Sequence, residues 1–147
     1  MIHHQYNPNY SFVKNPIDFN KYTNRELLQY CLGATMYMPG TKDFAQAVID
    51  KKYPGLTSMV MCFEDACKEE DVPAAELNSI NVLETLANAV DEGTLKYEDI
   101  PLIFFRVRSV EQFKHFSSML EPRHIKYLCG FNFPKFKTKS FCNSFIN

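Results

Sequence analysis

Four short apolar runs, each closed by a turn-forming or charged residue and separated by stretches of helical periodicity, constrain this chain more than any other feature. The clearest is residues 58–63, Ser-Met-Val-Met-Cys-Phe, which is apolar at both odd and even positions. Successive strand side chains point to opposite faces, so such a run has to be covered on both, as in a parallel sheet. The other runs are residues 34–38, 102–107 and 127–133. Thr41 is placed to cap a helix running to about Lys51, with Phe44, Ala47 and Val48 on one face. A longer helix is expected from Pro73 to Asp91, with Leu77, Ile80, Leu83, Leu86, Ala87 and Val90 at three- and four-residue steps. Ser109 with Gln112 forms a capping-box pattern opening a helix to about Leu120, with Val110, Phe113, Phe116 and Leu120 inward. A short helix over residues 24–32, opened by Thr23 and Glu26 and closed near Gly33, precedes all of these. The order is a helix, three strand-helix units and a fourth strand, which predicts an α/β fold of parallel βα units.

Length then limits how much of such a fold is present. A closed (β/α)8 barrel takes about 250 residues, roughly 30 per unit, and this chain has 147. It therefore holds about four strands, half of a barrel, and is expected to be incomplete. The division expected is an irregular arm over residues 1–22, a half-barrel over 23–136 and an irregular tail over 137–147, where a helix would be due.

Composition narrows the function. With 46% hydrophobic and 22% charged residues and a net charge of -1, the chain reads as a globular domain without the basic excess of a nucleic-acid coat. The tail's Lys135, Lys137 and Lys139, with Phe136 and Phe141, make no extended basic face. No run reaches the ~18 apolar residues of a membrane span, and residues 1–10 lack the apolar core of a secretion signal. Cys31, Cys62, Cys67, Cys129 and Cys142 are odd in number and lack CxxC spacing, which reads as reduced thiols acting as small hydrophobes in the cytoplasm. His3 and His4 lie in the arm, and His115 and His124 on or beside a helix; none has a nucleophile or metal-ligand spacing. No glycine-rich phosphate loop occurs.

Parallel α/β folds bind ligands beyond the carboxyl ends of their strands. Those ends carry Pro39-Gly40, followed by Thr41 and Lys42, then Glu64-Asp65, then Arg106-Val107-Arg108, then Pro134-Lys135. Arg106 and Arg108 are two residues apart and share a face of an extended strand, where two guanidiniums repel unless an anion lies between them. Glu64 and Asp65 supply that anion if strands two and three are joined by ion pairs. A bound carboxylate or phosphate supplies it otherwise. The acids also suit a solvated loop opening the next helix, and Lys135 alone reads as a solvated lysine.

At these same strand ends the sequence resembles the HpcH/HpaI aldolase and citrate lyase β-subunit family, and more closely its branch of C–C bond lyases of the TIM-barrel fold. The matching segments are 32–40 (LGATMYMPG), 59–66 (MVMCFEDA), 101–108 (PLIFFRVR) and 130–135 (GFNFPK). The resemblance implies cleavage or formation of a C–C bond beside a carbonyl, on a carboxylate-bearing substrate, often a CoA thioester, usually with Mg2+. It places Arg106 on the substrate carboxylate, Glu64 and Asp65 as the catalytic acidic pair of the active site, and Pro39, Gly40, Arg108 and Lys135 on the substrate side. Arg108 stands where the wider family has asparagine. The family's metal-ligating carboxylates lie on later strands, so no metal site is expected here and the isolated chain is expected to be inactive. Four strands alone leave open edges, which favours self-association or a missing C-terminal half. An interaction module using that edge, and a small flavodoxin-like binding domain, are the other readings of the strand count.

Overall fold

The computed structural model describes residues 9–14 and 17–135. Four strands, β1 (Met36–Pro39), β2 (Ser58–Cys62), β3 (Leu102–Arg106) and β4 (Leu128–Asn132), form one sheet in the order β1-β2-β3-β4, with every neighbouring pair parallel. Helices α1 (Arg25–Leu28), α2 (Ala45–Ile49), α3 (Val72–Asp91), α4 (Val110–Met119) and α5 (Pro122–Ile125) precede or link the strands. The sheet is open, four parallel strands of a barrel wall, as expected.

The two faces of the sheet do different work. Met59, Met61 and Phe63 alternate with Ser58, Val60 and Cys62, and Ile103 and Phe105 alternate with Leu102, Phe104 and Arg106. The first set packs in the core with Ala45 and Val48 of α2, Val82, Leu83 and Leu86 of α3, and Phe116 of α4. Phe63 stacks on Phe105 with centroids 5.6 Å apart, and both meet the Phe116 ring edge-on at 4.9 Å. Burying one such side chain contributes about 2 kcal/mol, and each aromatic pair about 1 kcal/mol more.

The opposite face is concave. Asn132 Nδ2 donates to Tyr37 Oη at 2.9 Å, although β4 and β1 are the two edges, three strand spacings or roughly 14 Å apart in a flat sheet. Side chains stand nearly perpendicular to a sheet, so the two meet only because the sheet curls toward them. Beneath this bridge lies a cleft of about 420 Å³, lined among others by Leu32, Thr35, Val60 and Phe104.

Several expected elements differ in extent, each for a local reason. The first helix is one turn, capped by Asn24, whose side chain accepts from the Glu26 N–H, while Thr23 accepts from the Asn20 N–H. The second helix starts at Ala45, two residues inside the Asp43 carboxylate that accepts the Ala45 N–H, and Thr41 lies outside it. In α3 the buried stripe comprises Ala75, Glu76, Ser79, Val82, Leu83, Leu86, Ala87 and Ala89; Leu77 is exposed and Glu76 is not. Small residues let α3 lie close to the sheet, which rotates the face expected from the large apolar residues. Of the inward positions expected in α4, Phe116 alone is buried. The one-turn α5 was not anticipated; Glu121 caps it, with His124 accepting from the Glu121 N–H in return.

The arm residues 17–22 form no strand or helix. Phe19 is buried, and Lys21 Nζ donates to the carbonyls of Ile125 at 2.6 Å and Leu128 at 3.2 Å, at the amino end of β4. His3, His4, Phe136, the tail over residues 137–147 and Cys142 lie outside the described residues. Cys62 and Cys67 are buried as expected of small hydrophobes, while Cys31 and Cys129 are half-buried. No helix among the described residues is long and apolar enough to cross a membrane.

Candidate active site at the carboxyl ends of the strands

Register assembles the site. Pro39 pairs with Cys62, Cys62 with Arg106 and Arg106 with Asn132, so one row crosses the sheet at its carboxyl edge. Simple alternation from Leu128 would turn Asn132 to the helix face. A bulge opposite Ile103 and Phe104 places Cys129 out of step, and this returns Asn132 to the concave face beside Arg106.

Just beyond that row, Glu64 and Asp65 meet Arg106 and Lys135. Arg106 Nη2 lies 2.5 Å from Glu64 Oε2 and 2.8 Å from Asp65 Oδ2. Lys135 Nζ contacts Glu64 Oε1 and lies 3.0 Å from Asp65 Oδ1. Each carboxylate thus touches both cations. Glu64 and Arg106 are largely buried, at 10% and 20% side-chain exposure, while Asp65 and Lys135 sit at 59% and 61%. The hydrogen bond from Lys135 holds the Asp65 carboxyl below the ordinary aspartate range, with Arg106 adding to it. Hydrogen bonds to Glu64 and then Asp65 push the Lys135 ammonium up. Lys135 itself has φ +55°, a left-handed conformation rare outside glycine. The buried Arg106 Nε has no acceptor among the described residues.

Arg108 takes a different part from the one expected of a second guanidinium on the strand face. β3 ends at Arg106, and beyond it Arg108 folds over the turn that follows β2. Its Nε donates to the Phe63 carbonyl at 3.0 Å, and its Nη2 to those of Glu64 at 3.2 Å and Cys67 at 2.6 Å. The two arginines therefore avoid repulsion by dividing the same turn between them, Arg106 on its carboxylates and Arg108 on its carbonyls. Pro39 is in the rim row. Gly40 is buried behind it, where a Cβ would lie 2.7 Å from Phe63 ring carbons and 3.0 Å from Ala75 Cβ. Its carbonyl accepts from Asn78 at 2.7 Å.

A family model described as C-C bond lyase of the TIM-barrel fold matches residues 26–146. The chain belongs to this C–C bond lyase family. The match spans all four strands and all five helices but for the first residue of α1. No curated protein and no solved structure matches the chain.

Sequence reading of this candidate site missed Asn132 and Tyr37, because the bulge that aims Asn132 leaves no mark in a run of apolar residues. It also missed Gln112 and Glu76. Gln112 was read as half of a capping box, but its side chain accepts from the Arg108 N–H at 3.1 Å and donates to the buried Glu76 at 2.7 Å. A glutamate falling between the alanines and valine of the buried stripe of α3 was the available signal. The described residues do not suit Mg2+. No group of three or more His, Cys, Asp or Glu side chains gathers among them, and the only two carboxylates at the rim are spanned by an ammonium and a guanidinium. Mg2+ needs near-octahedral oxygen ligation, which that pair of cations occludes.

Proposed function

We propose that this chain is the carboxylate-recognising sector of a C–C bond lyase, with Arg106 as the residue that holds the substrate carboxylate. Charge at the rim carries the reading. Glu64 and Asp65 are matched by Arg106 and Lys135, and Arg108, bound to carbonyls of the same turn, leaves these five residues with one positive charge in excess. A planar guanidinium in a rim of net positive charge, on the concave side of the sheet, suits a carboxylate. In a cleavage beside a carbonyl, negative charge builds on the departing enolate, and preorganised cations at the rim lower its energy. Asp65, held ionised, is too weak a base to drive proton transfer near neutral pH. In this reading the two acids set the positions of Arg106 and Lys135. In this reading the described residues supply recognition of a small 2-oxo or 3-hydroxy acid, and the chain binds it without turning it over.

Ligand-observed NMR and calorimetry with pyruvate test this. Binding is expected for the chain as it stands, with loss in Arg106→Ala at unchanged far-UV circular dichroism. Absence of binding refutes the site, and Mg2+-dependent cleavage of a 2-oxo or 3-hydroxyacyl substrate by the purified chain refutes the inactivity.

Among the described residues the outer sides of β1 and β4 pair with no strand, which favours a second reading, in which the sheet is completed by further βα units or by another copy. Sedimentation at micromolar concentration checks it: a stable monomer counts against self-pairing.

A further inference from the structure

Arg108 spends its side chain on the protein's own backbone. Three carbonyls of one short turn, those of Phe63, Glu64 and Cys67, converge on a single guanidinium at 3.0, 3.2 and 2.6 Å. Within the same turn the Cys67 N–H donates to the Glu64 carbonyl at 3.0 Å, and the Glu64 N–H to Cys62 Sγ at 3.4 Å. The arginine is anchored in turn. Its N–H donates to Gln112 Oε1, the Gln112 amide donates to Glu76, 4% exposed, and the other Glu76 oxygen lies 3.2 Å from His115 Nδ1. This chain of contacts runs from α3 through α4 to the turn that carries both carboxylates of the site.

We propose that Arg108 is a positioning residue: it fixes the 63–67 turn, and through it the separation at which Glu64 and Asp65 engage Arg106 and Lys135. Only a fork of several N–H donors with fixed angles spans three carbonyls at once, and a lysine ammonium is a point charge on a flexible stem. Removing the fork leaves the overall charge of the rim intact and frees the turn. Asp65, the exposed and outermost member, then spends less time on Lys135. The inference rests on the carboxylate-binding reading for its functional consequence, though its structural half stands alone.

The test is Arg108→Lys, with folding checked by far-UV circular dichroism and two readouts. The first is the side-chain carboxylate titration of Asp65, followed by carbon-13 NMR without ligand. Its midpoint is expected to move up toward that of an ordinary aspartate, because the Lys135 contact that depresses it is no longer held. The second is pyruvate affinity, expected to weaken about tenfold. A folded Arg108→Lys protein whose Asp65 titrates as in the parent overturns the proposal. If that variant does not fold, Gln112→Ala, which removes the anchor but keeps the arginine, is read the same way: an upward shift supports the proposal and an unchanged midpoint overturns it. If Asp65 shifts while the parent never binds pyruvate, Arg108 positions the turn and the carboxylate-binding reading is the one that fails.

Discussion

Adding one methyl group at Gly40 tests how tightly the rim is built on the core. Alanine at this position would place its Cβ 2.7 Å from both Phe63 Cδ1 and Cε1 and 3.0 Å from Ala75 Cβ. Carbon atoms pack best at about 3.5–4.0 Å, so each contact is roughly 1 Å too close. Neither neighbour has room to retreat. Phe63 is 0% exposed and is wedged between the Phe105 and Phe116 rings, and Ala75 is 0% exposed in the first turn of α3. Overpacking of a rigid site costs about 1–3 kcal/mol, and three simultaneous close contacts put Gly40→Ala near the upper end. For a chain of this length ~2–3 kcal/mol corresponds to a fall of about 5–10 °C in Tm. The chain has no tryptophan, so urea and thermal unfolding are followed by circular dichroism. Phe63→Leu should cost stability alone, yet relieve part of the Gly40→Ala penalty in the double variant. Gly93→Ala separates space from backbone conformation: that glycine has φ +75° with nothing within 4 Å of a Cβ, so its cost is conformational and Asn should restore much of it. If Gly40→Ala unfolds within about 0.5 kcal/mol of the parent, α3 is not seated against the rim as described.

Three further outcomes follow from the same contacts. A double-mutant cycle of Arg106→Met and Glu64→Gln should give a coupling of about 2 kcal/mol, between exposed and fully buried pairs, and a coupling below ~0.5 kcal/mol would make the pair a surface contact. Because Asp65 is held below its ordinary value, the stability it adds is full above about pH 4 and is lost as pH falls through its native midpoint; Lys135, held above its own, adds stability below about pH 10.5 that is lost as pH rises further. Asp65→Asn should therefore flatten the acid limb of urea-unfolding free energy against pH, and an unchanged limb contradicts the contact. Burial pushes the Cys67 and Cys129 thiols up, so iodoacetamide should label Cys31 ahead of both in the native protein, as read by peptide mass spectrometry.

The strand-helix alternation was legible because the signals for it are local. Residues 58–62 are buried without exception, and no other arrangement covers both sides of such a run as simply as a parallel sheet. Helix faces were harder. Leu77 and Glu76 are neighbours in α3, and hydrophobicity alone puts the leucine inside; the structure reverses them because Glu76 finds Gln112 and His115 across the interface. A buried carboxylate is stable only when its partners are supplied from elsewhere in the chain, and those partners lie more than thirty residues away in sequence. The same holds for the caps: Thr23 and Thr41 have the right chemistry, yet Asn24 and Asp43, each nearer its helix, take the N–H groups.

The site shows the same division between residue type and aim. Acids after β2 and basic residues after β3 and β4 could be read from residue order, and the structure brings Glu64, Asp65, Arg106 and Lys135 together. What order does not contain is direction. Arg106 and Arg108 are equivalent by parity, and they separate only because β3 ends between them, leaving one on carboxylates and the other on carbonyls. Asn132 reaches the concave face only through the bulge at Cys129. Both events occur at the carboxyl edge, where strand pairing gives out and side-chain direction is no longer dictated by the pleat. A rim assembled this way can change its ligand contacts by altering where a strand ends, with the buried runs and the charge inventory left as they are.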